Sequence, residues 1–121
     1  MILVDTSVWV RFLANRAPYC QEMDRLLALD EVAGHELVYG ELLVGDRGGR
    51  RTLLAAYERI HQVSTVPHRE VVEFVRKRNL EGRGAGWIDV HLLASAKLGR
   101  LSFWTLDKRL AAVATAMQLQ S

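Results

Sequence analysis

The hydrophobic pattern of the chain alternates between short buried strands and amphipathic helices. Ile2, Leu3 and Val4 form a continuous apolar run, which is typical of a central parallel strand buried on both faces. Further strands are expected around Val32 and over residues 62–66 and 101–106. Apolar positions at helical spacing predict helices over residues 8–13, 19–29, 36–44, 52–60, 70–80, 87–98 and 110–117. Because strands alternate with helices, the pattern predicts an α/β fold of three layers, α/β/α, around a central parallel sheet of four or five strands.

Size and composition indicate an ordinary globular protein. The chain has 121 residues, half of them apolar and a quarter charged, which fits a single domain over residues 1–121. No apolar run approaches the roughly 20 residues that span a bilayer, and no basic leader precedes the first strand. Cys20 is the single cysteine, so an internal disulfide is excluded. We therefore expect a cytoplasmic protein with no membrane partner.

The basic residues are mostly arginines. Net charge is only +2, but 13 of the 16 basic residues are arginine, and a guanidinium pairs with phosphate in a two-pronged geometry that lysine lacks. A genome biased towards arginine codons would give the same excess, and the local arginine clusters would then be solvated surface. On the first interpretation, the candidate contacts to phosphate groups are Arg11, Arg47, Arg50 and Arg83.

Four acidic residues occupy positions suited to chemistry. Asp5 and Asp107 follow predicted strands, while Glu41 and Asp89 are embedded in strongly apolar helices. Taken alone, Asp5 is equally interpretable as a helix cap, and each helical acid could lie on a narrow polar stripe. Taken together, the four acids predict a shared site, because strand ends and helix starts converge on one crevice in an open parallel sheet. Asp5 then becomes a site residue, and Thr6 or Ser7 is expected to cap the first helix.

Four carboxylates in one crevice predict a cation. They would repel one another, and some would take up protons, unless a positive ion neutralised them. An all-oxygen ligand set favours hard ions, so Mg²⁺ or Mn²⁺ is expected and zinc is not. Such ions can activate a water and orient a phosphodiester. Phosphodiester hydrolysis is the chemistry that this set of residues favours.

Other motifs are weaker. The loop from Gly82 to Gly86 lacks the spacing of a dinucleotide fingerprint and is interpreted as a helix entry. The four histidines show no metal-ligand spacing, and His91 is expected to pack or to lie on the surface. The tryptophans could stack on bases, but each lies in an apolar stretch, so core packing is the favoured interpretation for Trp9, Trp87 and Trp104.

Four segments carry a family resemblance. They are Val4-Asp-Thr-Ser-Val-Trp9, Gly40-Glu-Leu-Leu-Val-Gly45, the segment of residues 82–93 that contains Trp87-Ile-Asp-Val-His91, and Trp104-Thr-Leu-Asp-Lys-Arg-Leu110. In order and spacing, across essentially the whole chain, they resemble the PIN-domain ribonucleases, specifically the VapC toxins of bacterial toxin–antitoxin pairs. One departure is visible, since many relatives have an aromatic residue where this chain has Leu110.

The resemblance implies a site, a cofactor and partners. The family's acidic quartet falls on Asp5, Glu41, Asp89 and Asp107, which would serve as catalytic and metal-binding residues. The hydroxyls of Thr6, Ser7 and Thr105 would steady them. It further implies Mg²⁺- or Mn²⁺-dependent endonuclease cleavage of RNA, with a metal-activated water, by a single PIN domain. The implied partners are RNA, a VapB-type antitoxin and a second copy of the chain in a homodimer.

Two alternatives from other functional classes stay open. A phosphoaspartyl enzyme could use Asp5 as its acceptor, but the haloacid-dehalogenase pattern needs a second aspartate where this chain has Ser7. A receiver domain would need an acidic pair near its start. A non-catalytic RNA-binding PIN module is the other alternative, and the presence of all four acids argues against it.

Overall fold

A computed structural model describes residues 1–119. Within that range, four strands and seven helices follow one another in an α/β order. The strands are β1 (Ile2–Val4), β2 (Val32–Gly34), β3 (His61–Gln62) and β4 (Ser102–Trp104). The helices are α1 (Thr6–Leu13), α2 (Tyr19–Ala28), α3 (Glu36–Val44), α4 (Arg51–Arg59), α5 (His68–Lys77), α6 (Trp87–Leu98) and α7 (Lys108–Ala116). None of the helices in this part of the chain is long and apolar enough to cross a membrane.

The four strands form one parallel sheet in the order β3-β2-β1-β4. The first strand is central: Leu3 pairs with Ala33 of β2 on one side and with Phe103 of β4 on the other. Leu3 and Val4 are fully buried, as the continuous apolar run predicts for a strand covered on both faces. The parallel α/β architecture predicted from the sequence is confirmed, with four strands among residues 1–119.

The third strand differs from its prediction. Residues 62–66 were expected to form it, but β3 covers only His61–Gln62. The N–H of Val63 still donates to the carbonyl oxygen of Gly34, after which the chain leaves the sheet. Val63 and Val66 are nevertheless buried. They pack as loop residues against the core, so their apolar character does not report strand pairing.

Two helices present acids because their other faces are buried. In α3, Val38 and Leu42 lie four residues apart and are almost fully buried, which turns the neighbouring Glu41 outward. In α6, Leu92 and Leu93 are fully buried, and Asp89 occupies the first turn. Core packing therefore fixes the orientation of both helices that carry a candidate acid.

His35 links the end of β2 to the start of α3. Its imidazole is fully buried, and its Nδ1 accepts a hydrogen bond from the N–H of Leu37 at 3.0 Å, which caps the helix. The Nε2 atom lies 3.0 Å from the Ser95 hydroxyl. Since Nδ1 is an acceptor, the ring proton sits on Nε2 and is donated to that hydroxyl. Burial lowers the pKa of His35 to about 4, with a smaller contribution from His91, so the ring is neutral at physiological pH.

Candidate active site

Asp5 lies at the end of the central strand. Its backbone N–H donates to the carbonyl oxygen of Trp104 on β4 at 2.9 Å, and its side chain is only 7 % exposed. The Oδ2 atom accepts hydrogen bonds from the hydroxyls of Ser7, at 2.9 Å, and Thr105, at 2.7 Å. Asp5 occupies the N-cap position of α1, yet its carboxylate makes no capping bond. The expectation that Thr6 or Ser7 caps this helix is therefore wrong, because both lie inside its first turn.

Glu41 is connected to the same strand end through Thr6. The hydroxyl of Thr6 donates to Oε1 of Glu41 at 2.6 Å, and this bond joins the start of α1 to α3. The Ser7 hydroxyl joins the start of α1 to the segment after β4, because it accepts a hydrogen bond from the backbone N–H of Leu106 at 3.0 Å. Both hydroxyls that follow Asp5 thus tie separate parts of the chain to it.

Thr105 connects two of the acids. While its hydroxyl donates to Asp5, it accepts a hydrogen bond from the backbone N–H of Asp107 at 3.1 Å. The Asp107 side chain caps α7, since its Oδ1 accepts from the N–H groups of Arg109 and Leu110 at 2.9 and 3.2 Å. The Thr105 hydroxyl therefore links the Asp5 carboxylate to the backbone of Asp107.

Asp89 is the fourth acid and responds to the other three. Its Oδ2 accepts from the backbone N–H of Gly86 at 2.8 Å, at the start of α6. Burial is the main cause that raises the pKa of Asp89 above its usual value, and the Gly86 N–H opposes it. The negative charges of Asp5, Asp107 and Glu41 raise it further. Asp5, Glu41 and Asp107 therefore lie within electrostatic reach of Asp89.

The ligand chemistry of this quartet suits a divalent cation. Each carboxylate has one oxygen that accepts from the protein, and no residue among 1–119 donates a hydrogen bond to the other oxygen. No lysine or arginine within the described range forms a salt bridge with any of the four. A buried carboxylate without a cationic partner is costly, and all-oxygen ligands suit Mg²⁺ or Mn²⁺. Among the described residues, no three histidine, cysteine, aspartate or glutamate side chains converge closely enough to form a ready metal-binding group.

A sequence model of the PIN domain matches residues 2–116. The chain belongs to the PIN-domain family. Within that family it is 43 % identical over 113 residues to a protein named Ribonuclease VapC32, found in two strains of Mycobacterium tuberculosis. The aligned region covers 93 % of this chain and 89 % of that relative. The predicted family and its three-layer fold are thus confirmed, and the phosphoaspartyl alternatives are set aside.

The predicted RNA-contacting arginines of this PIN domain lie at its surface. Arg11, Arg47 and Arg83 are exposed and Arg50 is partly exposed. None of the four is ion-paired with a carboxylate in the part of the chain that the structure describes. Their guanidinium groups are therefore accessible to anions such as phosphates.

Two further residues, each two positions from an acid in the sequence, were not predicted as they are observed. Trp87 was expected in the core, but it is 46 % exposed, whereas Trp9 is buried at 2 % as expected. Arg109 was not singled out, yet its aliphatic chain packs on Gly84, where an added Cβ would lie 2.7 Å from Arg109 Cδ. The sequence gave one signal for each residue: Trp87 lies close to Asp89 in the chain, and Arg109 lies close to Asp107.

Proposed function

We propose that this PIN domain is a metal-dependent endoribonuclease and acts as the toxin of a VapBC-type toxin–antitoxin pair. The identity to a relative named as a VapC ribonuclease supports the activity and the class of pair. In this chain the proposal is carried by the hydrogen bonds that hold Asp5 to Ser7 and Thr105 and Glu41 to Thr6, and it is supported by the pKa of Asp89, which burial raises and the charges of the other three acids raise further. The contribution from the three neighbouring charges is what acids that share one site should show.

Asp5, Glu41, Asp89 and Asp107 are the residues that would hold one or two Mg²⁺ or Mn²⁺ ions. When bound, such an ion supplies a nucleophile from water at neutral pH and stabilises charge on the phosphate. The chain's own contribution is to orient the acids. Ser7 and Thr105 fix one oxygen of Asp5, and Thr6 fixes one oxygen of Glu41.

The substrate is held by its phosphates in this proposal. Arg11, Arg47, Arg50 and Arg83 are candidate contacts because they are accessible and free of carboxylate partners in the described range. Arg109 joins them, since its chain is packed on Gly84 beside the helix that carries Asp89. A pre-positioned guanidinium loses less side-chain entropy on binding phosphate than a mobile one.

The proposed protein partners are a VapB-type antitoxin and a second copy of the chain. Helices α1 and α3 pack together and expose three large apolar side chains, Val10, Leu43 and, at 88 % exposure, Val44. An apolar patch beside the Thr6–Glu41 bond would suit an antitoxin that shields the acids. Mass measurement of the free protein by light scattering, which should give a dimer, tests the second partner.

Cleavage of a mixed RNA pool tests the proposed activity. The wild-type protein should cut RNA internally with Mg²⁺ or Mn²⁺ and should not cut it in EDTA. Asp5→Asn should abolish cleavage while circular dichroism shows an unchanged fold, and Asp24→Asn, at an exposed position on α2, serves as the matched control. Cleavage undiminished by Asp5→Asn would refute the mechanism. Binding of RNA with no cleavage under any divalent ion would favour the non-catalytic RNA-binding alternative.

A further inference from the structure

The loop before α6 is exposed and rich in glycine. Residues 81–84 are all exposed, and Gly82 and Gly84 adopt φ angles of +72° and +90°. Because glycine restricts its own backbone conformation very little, such a loop depends on contacts with the rest of the chain to keep one shape. Its shape matters because the loop ends at Gly86, whose backbone N–H donates to Oδ2 of Asp89 at 2.8 Å.

Arg109 contacts this loop from α7. A Cβ added at Gly84 would lie 2.7 Å from Cδ of Arg109 and 3.5 Å from both its Cβ and its Nη1, so the arginine side chain lies lengthwise across the glycine. Within residues 1–119, Arg109 forms no salt bridge. Its aliphatic chain therefore reaches the loop by packing, and not because an ion pair draws the guanidinium there.

The backbone of Arg109 is bound to a second acid. Its N–H donates to Oδ1 of Asp107 at 2.9 Å, at the start of α7. Arg109 thus contacts Asp107 with its backbone and, with its side chain, the loop whose last residue bonds to Asp89. The start of α6 and the start of α7 are connected through this one residue.

We propose that Arg109 is a positioning residue, whose aliphatic chain holds the loop of residues 82–86 against α7 and thereby fixes Asp89 relative to Asp107 for a shared divalent ion. The inference rests on the proposed metal-dependent function. It assigns the aliphatic chain to positioning and leaves the guanidinium for the phosphate contact proposed above. While the N–H of Gly86 occupies Oδ2 of Asp89, no described residue donates to Oδ1, which is left for the ion.

Hydrogen exchange of the Gly86 amide, measured by NMR, tests the packing without metal or RNA. Arg109→Ala removes two methylene groups, so the amide should exchange about 10-fold faster. Arg109→Met keeps an unbranched chain without the charge and should exchange at nearly the wild-type rate. Lys108→Ala is the matched control, because Lys108 is the neighbouring exposed cation on α7, while the atoms nearest to a Cβ at Gly84 all belong to Arg109.

Calorimetric titration with Mn²⁺ tests the effect on the acids. Arg109→Ala should weaken Mn²⁺ binding by about 10-fold, the lower end of the usual loss when a metal ligand loses a group that orients it. Arg109→Met and Lys108→Ala should bind Mn²⁺ as the wild type does. Any loss of RNA cleavage in the methionine variant should then fall on KM rather than on kcat.

The positioning role is refuted if Arg109→Ala leaves either the Gly86 exchange rate or the Mn²⁺ affinity unchanged. It is also refuted if the methionine variant is as impaired as the alanine variant in both measurements, because the charge and not the aliphatic chain would then be responsible. A wild type that binds no Mn²⁺ and cleaves no RNA would overturn the proposed function itself. In that case the exchange of the Gly86 amide would still decide whether Arg109 holds the loop.

Discussion

Replacing Thr105 with valine tests how the acids are held together. Valine has nearly the same shape as threonine but can neither donate to Asp5 Oδ2, now bonded at 2.7 Å, nor accept from the N–H of Asp107, at 3.1 Å. The first loss dominates because it removes a bond to a carboxylate that is almost fully buried. A hydrogen bond to a charged group contributes about 1.5–3 kcal/mol.

The expected effects of Thr105→Val are measurable separately. The free energy of unfolding should fall by about 2 kcal/mol. For a domain of 121 residues, this corresponds to a decrease in Tm of about 8 °C. Cleavage should slow by about 10- to 100-fold, which is the usual effect of removing a partner that orients a metal ligand. Calorimetry gives the first quantity and single-turnover cleavage of RNA at saturating Mg²⁺ gives the second.

Thr105→Ser is the matched control. It keeps the hydroxyl and should remain close to wild type in cleavage, although it loses a methyl group from a partly buried position. The reasoning is refuted if the valine variant is as active and as stable as wild type. It is equally refuted if serine impairs cleavage as much as valine does, because the hydroxyl would then be irrelevant.

Three further predictions concern metal binding, pH and a loop. At Mg²⁺ concentrations near ten times Kd, the free energy of unfolding of the wild type should rise by about 1.4 kcal/mol, which calorimetry would record as an increase in Tm of about 5 °C. EDTA should remove this increase, and Asp5→Asn should abolish it. An equal increase in the variant would contradict the prediction. The pKa of His35 falls from 6.5 to about 4 on folding, so the unfolded chain binds the proton more readily. The free energy of unfolding, measured by denaturant titration, should therefore fall by about 3 kcal/mol between pH 6.5 and pH 4. The fall should be smaller in His35→Asn, and an identical pH dependence in that variant would contradict the prediction. Gly84 has φ +90° and contacts Arg109, so Gly84→Ala should lower the free energy of unfolding by about 1–3 kcal/mol, as measured by denaturant titration. Gly40 has open space around it, so Gly40→Ala should not destabilise the protein. Equal effects of the two substitutions would show that neither strain nor contact matters.

The hydrophobic pattern predicted most of the fold because it records burial directly. The boundaries of α3 and α6 match their predictions, since a glycine, Gly45 or Gly99, directly follows the last residue of each helix. The prediction of β3 was less accurate, because Val63 and Val66 are buried without sheet pairing. Burial and pairing cannot be distinguished in so short a run.

The candidate acids were found from their positions, but their local roles were not. Strand ends pointed to Asp5 and Asp107, whereas the capping bonds of Asp89 and Asp107 were not predicted, because the same residue pattern also suits Asp5, whose side chain makes no such bond. The exposure of Trp87 also depends on tertiary packing, because its apolar neighbours in sequence turn to other faces of α6. Sequence patterns therefore identify the chemistry of this site better than its contacts.

Anomalous scattering of Mn²⁺ in crystals of the protein tests most directly the proposal that the four acids form one divalent-metal site. We predict a peak bound by oxygens of Asp5 and of at least two of the residues Glu41, Asp89 and Asp107. Asp5→Asn should remove the peak. A Mn²⁺ ion bound elsewhere, or no peak under conditions in which the same protein cleaves RNA with Mn²⁺, would contradict the claim.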